Sequence, residues 1–381
     1  MSGEIRSPLH EEHLALGATM VPFAGWLMPV RYESDLAEHR AVRTAAGLFD
    51  LSHMAEVVVT GPEAGAFLDR SLVGWLSAVK VGRARYTMIC APDGGVLDDL
   101  VVYRPGEDDF LVVANAANHD VVVEALTDRA AGFDVTVQDA TEPTALIAVQ
   151  GPRAREVLAA LPGLAVPALA EVPYYAATDG SLAADGQDVG VLVARTGYTG
   201  EDGYELFVPA TAAAALWRAL LAAGEPFGLV PAGLAARDSL RLEAGMPLYG
   251  QELDHTCTPY DAGLGRVVRL DKVAPDGSRV DFVGREALEA RAHSQPARVL
   301  VGLAGESRRA ARPGQAVTTR GGAVGGEVTS RAPSPTLGHP IAMAYVTPEV
   351  GAAGTALAVE VRGRAEPVRV VPLPFYRRPT T

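Results

Sequence analysis

The sequence predicts an α+β protein that ends in a separate all-β unit. Three observations carry this expectation. In the first half of the chain, short strand-like and helix-like runs alternate, with hairpin turns between them, which favours an α+β layout over a doubly wound sheet. After about residue 295 the composition shifts. Residues 299–303, 315–318, 323–329, 342–345, 356–362 and 368–371 are β-prone runs joined by Gly/Pro turns, the pattern of a small barrel or sandwich. A chain of 381 residues also exceeds one small core, so two or three domains are expected.

Taken in order, residues 8–17 predict a short helix ending near Gly17. His10 and His13 lie three apart within it, but no third ligand is near, so a solvated helix face is expected rather than a metal site. Residues 35–44 read as a helix. Residues 47–56 lead into a strand at 57–60. Ser52 and His53 are adjacent, which suits a turn or a pocket-lining loop better than a nucleophile and its base. A helix at 62–72 and strands at 83–90, 96–103 and 110–115 follow. The third strand ends in Asn115-Ala116-Ala117-Asn118-His119, where asparagines serve as turn and cap residues. A helix at 120–129 and a strand at 133–138 close this unit. A second unit begins near Ala145, with strands at 146–149, 189–194 and 204–208. A helix at 231–245 is closed by Gly245, and 246–253 is a loop.

Composition excludes several function classes. The formal net charge of −13 argues against nucleic acid as the main partner. No apolar run approaches a membrane span, and the N-terminal residues lack a signal or transit pattern, so a cytoplasmic location is expected. The two cysteines, Cys90 and Cys257, belong to no Cys-x-x-Cys motif, so neither a disulfide framework nor a zinc cluster is expected. Only Lys80 and Lys272 are available for a lysine-based mechanism.

Two stretches place carboxylates among apolar neighbours. In Gly94-Gly95-Val96-Leu97-Asp98-Asp99-Leu100-Val101-Val102-Tyr103 the glycines turn the chain and the rest reads as a strand. Side chains alternate faces, so Asp98 shares one with Val96, Leu100 and Val102, and Asp99 shares the other with Leu97, Val101 and Tyr103. At least one carboxylate must then be buried, which requires a hydrogen bond or a cation. In Arg195-Thr196-Gly197-Tyr198-Thr199-Gly200-Glu201-Asp202-Gly203-Tyr204-Glu205 three glycines spaced by three shape an irregular turn unlike a P-loop, and Glu205 follows inside a strand. A structural arginine is the ordinary partner for such a Glu. Arg237 and Arg241, four apart, share a helix face, with Asp238 and Glu243 as the obvious partners.

These blocks, with Ala24-Gly25-Trp26-Leu27-Met28-Pro29, Phe49-Asp50-Leu51-Ser52-His53-Met54, Gly233 to Gly245, Ser334-Pro335-Thr336-Leu337-Gly338 and the final Pro374-Phe375-Tyr376-Arg377, make the chain resemble the aminomethyltransferase (T-protein) family of the glycine cleavage system. The resemblance runs nearly end to end. It implies a three-domain cloverleaf around a central folate-binding hole. The domains would be residues 1–50 plus about 140–245, about 51–139, and a C-terminal β-barrel at about 280–381. It implies transfer of a methylene carbon from the aminomethyl-dihydrolipoyl arm of a lipoylated H-protein to tetrahydrofolate, with release of ammonia and no metal. It makes Asp99 the essential carboxylate and Glu205 and Arg237 folate contacts. Met54, Tyr86, Asn115, Tyr175, Tyr198 and Tyr376 fall on pocket-lining positions, and Arg309 aligns with an arginine near the reacting centre. Since H-proteins are acidic as a family, docking requires a local basic patch, for which Arg308, Arg312, Arg362 and Arg364 are the candidates.

Two rival readings share the fold: a folate-dependent demethylase of a small methylated substrate, and a non-catalytic folate-binding iron–sulfur-assembly protein. The second group carries Lys-Gly-Cys before Gly-Gln-Glu. Here that run is Met246-Pro247-Leu248-Tyr249-Gly250-Gln251-Glu252, without a cysteine.

Overall fold

The computed structural model describes residues 4–184, 186–307, 309–319 and 321–379. A seven-stranded sheet runs in the order Leu164–Ala165, Ala177–Ala184, Gln187–Ala194, Gly203–Pro209, Thr144–Gln150, Ala46–Asp50, Leu229–Pro231. A five-stranded sheet runs Arg83–Cys90, Val96–Gly106, Asp109–Ala114, Ala55–Thr60, Thr136–Asp139. The chain leaves the larger sheet after Asp50, builds the smaller one, and returns at Thr144. Ile5–Arg6, Trp26–Arg31 and Thr19–Phe23 form a three-stranded sheet. At the C-terminal end, Val299–Gly305, Ile341–Val346, Val324–Ala332, Ala316–Thr318, Ala356–Val361 and Arg364–Val371 close into a barrel.

Alternation explains how the two large sheets meet. Leu100 and Val102 face a core shared with Phe67 and Leu68 of the helix Ala64–Ser71 and Val122 and Leu126 of the helix His119–Arg129. Val101 and Tyr103 face the other way, against Phe49, Leu146, Ala148 and Phe207 of the seven-stranded sheet. The rings of Tyr103 and Phe207 meet edge to face, 5.5 Å between centroids. The far side of the larger sheet is covered by the helix Ala213–Gly224 through Leu216, Trp217 and Leu220. Burial of each such side chain contributes roughly 1.5–3 kcal/mol. The face-to-face seam gives the site between the sheets rigid walls.

The six barrel runs and the helices at 35–44 and 62–72 form where the pattern places them. The helix expected at 231–245 is Leu234–Glu243, because Pro231 ends the preceding strand and Gly245 leaves the helix at φ +66°. The solvated face expected for His10 and His13 is a correction. His13 is fully buried, with Nε2 2.8 Å from Asp50 Oδ2 and Nδ1 2.9 Å from the Tyr32 hydroxyl. Trp217 packs edge-on against its ring at 5.3 Å. A three-residue spacing says which side chains share a face. It does not say that the larger sheet's core covers that face.

The expected arginine pairs are partly corrected as well. Arg241 does pair with Asp238, but its other carboxylate is Glu252, at 2.9 Å. Glu243 instead receives Arg43 and His39, with Ser334 and Thr336 of the barrel. This ties the helix that carries Arg237 to the C-terminal barrel. Among the described residues no helix is long and apolar enough to cross a membrane.

Candidate active site

A cavity of about 290 Å³ opens along the seam between the two large sheets. Strand pairing places its first carboxylate. Met88 is opposite Asp99 and Tyr86 is opposite Val101, so Tyr86 and Asp99 are diagonal neighbours on one face. The Tyr86 hydroxyl donates to Asp99 Oδ2 at 2.9 Å, and Asn115 Nδ2 donates to Oδ1 at 2.8 Å. Burial holds the Asp99 carboxyl above the usual carboxylate range. Asp98 points away and is fully buried, where it accepts from the Asn115 backbone N–H at 2.8 Å, Asn115 Nδ2 at 2.8 Å and Asn118 Nδ2 at 2.7 Å. Burial first, and the neighbouring Asp99 second, push it up to about 7.

The second carboxylate, Glu205, lies opposite Ala148 and Ala194 on its two neighbouring strands, whose small side chains leave room beside it. It accepts from the Tyr103 hydroxyl at 3.0 Å and from Thr196 Oγ1. The structural arginine expected for it is not there: among the described residues none is within ion-pair distance. Its partners are neutral hydroxyls.

The loop before it is held by Arg195, which grips Asp202 through Nε and Nη2 at 2.9 and 2.7 Å. Glycine is required at two positions. A Cβ on Gly197 or Gly203 would come within 2.0 or 2.3 Å of the Gln150 side chain. Tyr175 has φ +58°, a strained conformation for a bulky residue, and turns its ring into the cavity wall. Tyr198 forms another wall, with the Arg237 guanidinium 4.8 Å from its ring centroid. Among the described residues Arg237 has no carboxylate within ion-pair distance.

The cavity thus brings together Met54, Tyr86, Asp99, Asn115, Tyr175, Tyr198, Glu205 and Arg237. Two expected residues stand elsewhere. Tyr376 does not line it; its ring stacks on Arg43 at 4.1 Å, and its backbone N–H donates to Glu243. Arg309 belongs to the barrel, pairs with Glu366 at 2.6 Å, and lines a separate cavity of about 520 Å³ with Arg312, Arg331, Arg362 and Arg364. Arg308 lies outside the described residues. Sequence reasoning missed Tyr103 and Thr196, the donors on Glu205. Tyr103 had a visible signal, since it shares the period-two face of Asp99.

A wider cavity of about 720 Å³ shares Met54, Asn115, Tyr198 and Arg237 with the first, so the two adjoin. The barrel closes part of its wall with Pro313, Ser330 and Arg331. His53 also lines it. Burial, then the charge of Arg237, pushes that imidazole down to about 4, so it is neutral at pH 7. Among the described residues no group of three or more His, Cys, Asp or Glu is arranged to hold a metal ion.

Residues 9–272 match the GCVT N-terminal domain, and residues 298–377 match the glycine cleavage T-protein C-terminal barrel domain. The chain belongs to the glycine cleavage T-protein family. It is 58% identical over 377 residues to an aminomethyltransferase of Streptomyces coelicolor, covering 98% of each chain. It is 47% identical over 374 residues to one from Moorella thermoacetica, again covering 98% of each. Its backbone is similar to the crystal structure of the glycine cleavage system aminomethyltransferase T from Bartonella henselae, with a TM-score of 0.86, 36% identity and 98% coverage of both chains.

Proposed function

We infer that this protein is an enzyme, the aminomethyltransferase of glycine cleavage, and that it moves the methylene carbon of an aminomethyl-dihydrolipoyl arm to tetrahydrofolate. The activity rests on full-length relatives of that name, and neither rival reading is favoured by them. The observation that carries the site assignment is a pair of carboxylates, Asp99 and Glu205, on one tyrosine-walled cavity, each held by neutral donors rather than by a cation.

The residues present fit a reduced pterin. Glu205 keeps acceptor capacity beyond its two hydroxyl donors, which suits a ring edge of N–H and amino groups. Tyr175 and Tyr198 offer flat apolar walls. Bound tetrahydrofolate would supply two nucleophilic nitrogens, whose hydrogens end on the released thiol and ammonia. Asp99 would orient those nitrogens, stabilise positive charge that develops beside it, and hold or pass a proton through its carboxylate oxygens. Tyr86 and Asn115 keep that carboxylate in place. The apolar walls limit water at the transferring carbon.

The arginine-lined barrel cavity supports docking of an acidic, lipoylated H-protein. Arg331 lines both that cavity and the wide one, so a partner seated there would sit beside the wide cavity that adjoins the Asp99 cavity. The test is ammonia release from aminomethylated H-protein, with and without tetrahydrofolate. Folate-dependent release is expected; no release in either case removes the assignment.

A further inference from the structure

Asn115 stands on the wall shared by the two adjoining cavities. Its Nδ2 lies 2.8 Å from Asp98 Oδ1 and 2.8 Å from Asp99 Oδ1. A primary amide has two N–H donors and one carbonyl acceptor. Here each donor is taken by a different carboxylate. Against the ionised acids the flipped amide would press its oxygen on carboxylate oxygens, so in that state the two acids dictate its orientation.

Asp98 is the fixed half of this arrangement. Its other contacts are a backbone N–H and the buried Asn118 amide, and it is sealed from the cavities. Asp99 faces the cavity. With Nδ2 committed, Asn115 Oδ1 is the polar atom that the residue can offer, and among the described residues no donor meets it. At the junction of the cavities there is therefore a carbonyl acceptor beside the Asp99 carboxylate. An ammonium group has three donors and no acceptor, so this pair of acceptors is complementary to it. Arg237, on the same wall, is donor-only and cannot compete for that role.

We propose that Asn115 Oδ1 and Asp99 together cradle the nitrogen of the aminomethyl group, which departs as ammonia, and that Asp98 is the positioning residue that sets the Asn115 amide. This rests on the aminomethyltransferase reading above. Asp98→Asn retains the shape of the side chain but lets its new amide donate to Asn115 Oδ1, which frees Asn115 to flip.

The experiment is a double-mutant cycle with Asp98→Asn and Asn115→Ala, assayed in both directions. Asp98→Asn is expected to raise the ammonium KM of the reverse reaction tenfold or more. The KM for methylene-tetrahydrofolate and the Kd for tetrahydrofolate should stay within about twofold. The double variant should be no worse than Asn115→Ala alone. Losses that multiply, or a folate Kd that rises together with the ammonium KM, would overturn the proposal. If Asp98→Asn does not fold, Asn118→Ala loosens Asp98 without touching Asn115 or Asp99. It should give the same selective rise on a smaller scale, and an unchanged ammonium KM there also overturns it. A wild type that releases no ammonia sinks the functional reading itself, whereas an active wild type without the selective effect sinks this inference alone.

Discussion

The central hole and the barrel cavity handle charge in opposite ways. In the hole, Asp99 and Glu205 are desolvated and held by short, directional bonds from tyrosines, a threonine and an amide. In the barrel cavity five arginines gather, and among the described residues only Arg309 has a carboxylate partner. A buried carboxylate with neutral donors acts at contact range, where each atom's placement decides the chemistry. Solvated guanidiniums act at longer range and are screened by salt. The first site should show itself in turnover and ligand affinity, the second in partner capture.

The largest effect that would sharpen this contrast is at Asp99. Asp99→Asn keeps the shape and removes the charge, so turnover should fall by roughly 10²–10⁴ with the fold intact by circular dichroism. A full-rate variant would break the contrast at its strongest point. Glu205→Gln should weaken tetrahydrofolate by about 1–3 kcal/mol in titration calorimetry, because an amide presents a donor where two acceptors are needed. Equal affinity would reduce Glu205 to a structural acid.

Reversing Arg312 and Arg364 together should raise the KM for H-protein roughly tenfold and alter its salt dependence. Turnover of a free aminomethyl-lipoate analogue should not change. Equal losses on both substrates would mean that the cavity belongs to the active site or the fold.

The smallest effect concerns Glu56, a buried carboxyl whose two oxygens have no hydrogen-bond partner among the described residues. Burial holds its pKa well above the usual range. A raised folded-state pKa means that its contribution to stability is complete below the unfolded pKa and is lost as pH rises through the folded one. Glu56→Gln removes that loss. The difference in unfolding free energy, followed by denaturant titration, should therefore move in the variant's favour between pH 5 and pH 9, by an amount on the order of 1 kcal/mol. A constant difference across that range would show that Glu56 does not titrate on unfolding.

Much of this was legible because it is local. Backbone alternation alone separates Asp98 from Asp99, and the structure keeps them on opposite faces. The six barrel runs are bounded by turn residues that act within a few positions, so their strands emerge near the expected limits. Most of the residues that the resemblance named gather on one cavity wall. Arg309 and Tyr376 stand apart from it, because alignment says nothing of how the barrel loops and the tail are docked.

The remainder was decided by contacts between residues far apart in the chain. His13 of the first helix is buried because the larger sheet's core, with Asp50 and Trp217, lies over it. Glu205 meets Tyr103, a donor from the other sheet, and among the described residues no arginine. Asn115, which reads as a strand-end cap, bridges both aspartates because two adjacent strands bring its amide between them. Periodicity and turn chemistry act over a few residues, so the sequence by itself determined the strands, the helices and which side chains share a face. Which face meets which, and so which carboxylate meets a cation, depends on packing between segments far apart in the chain, and only the tertiary structure decided it.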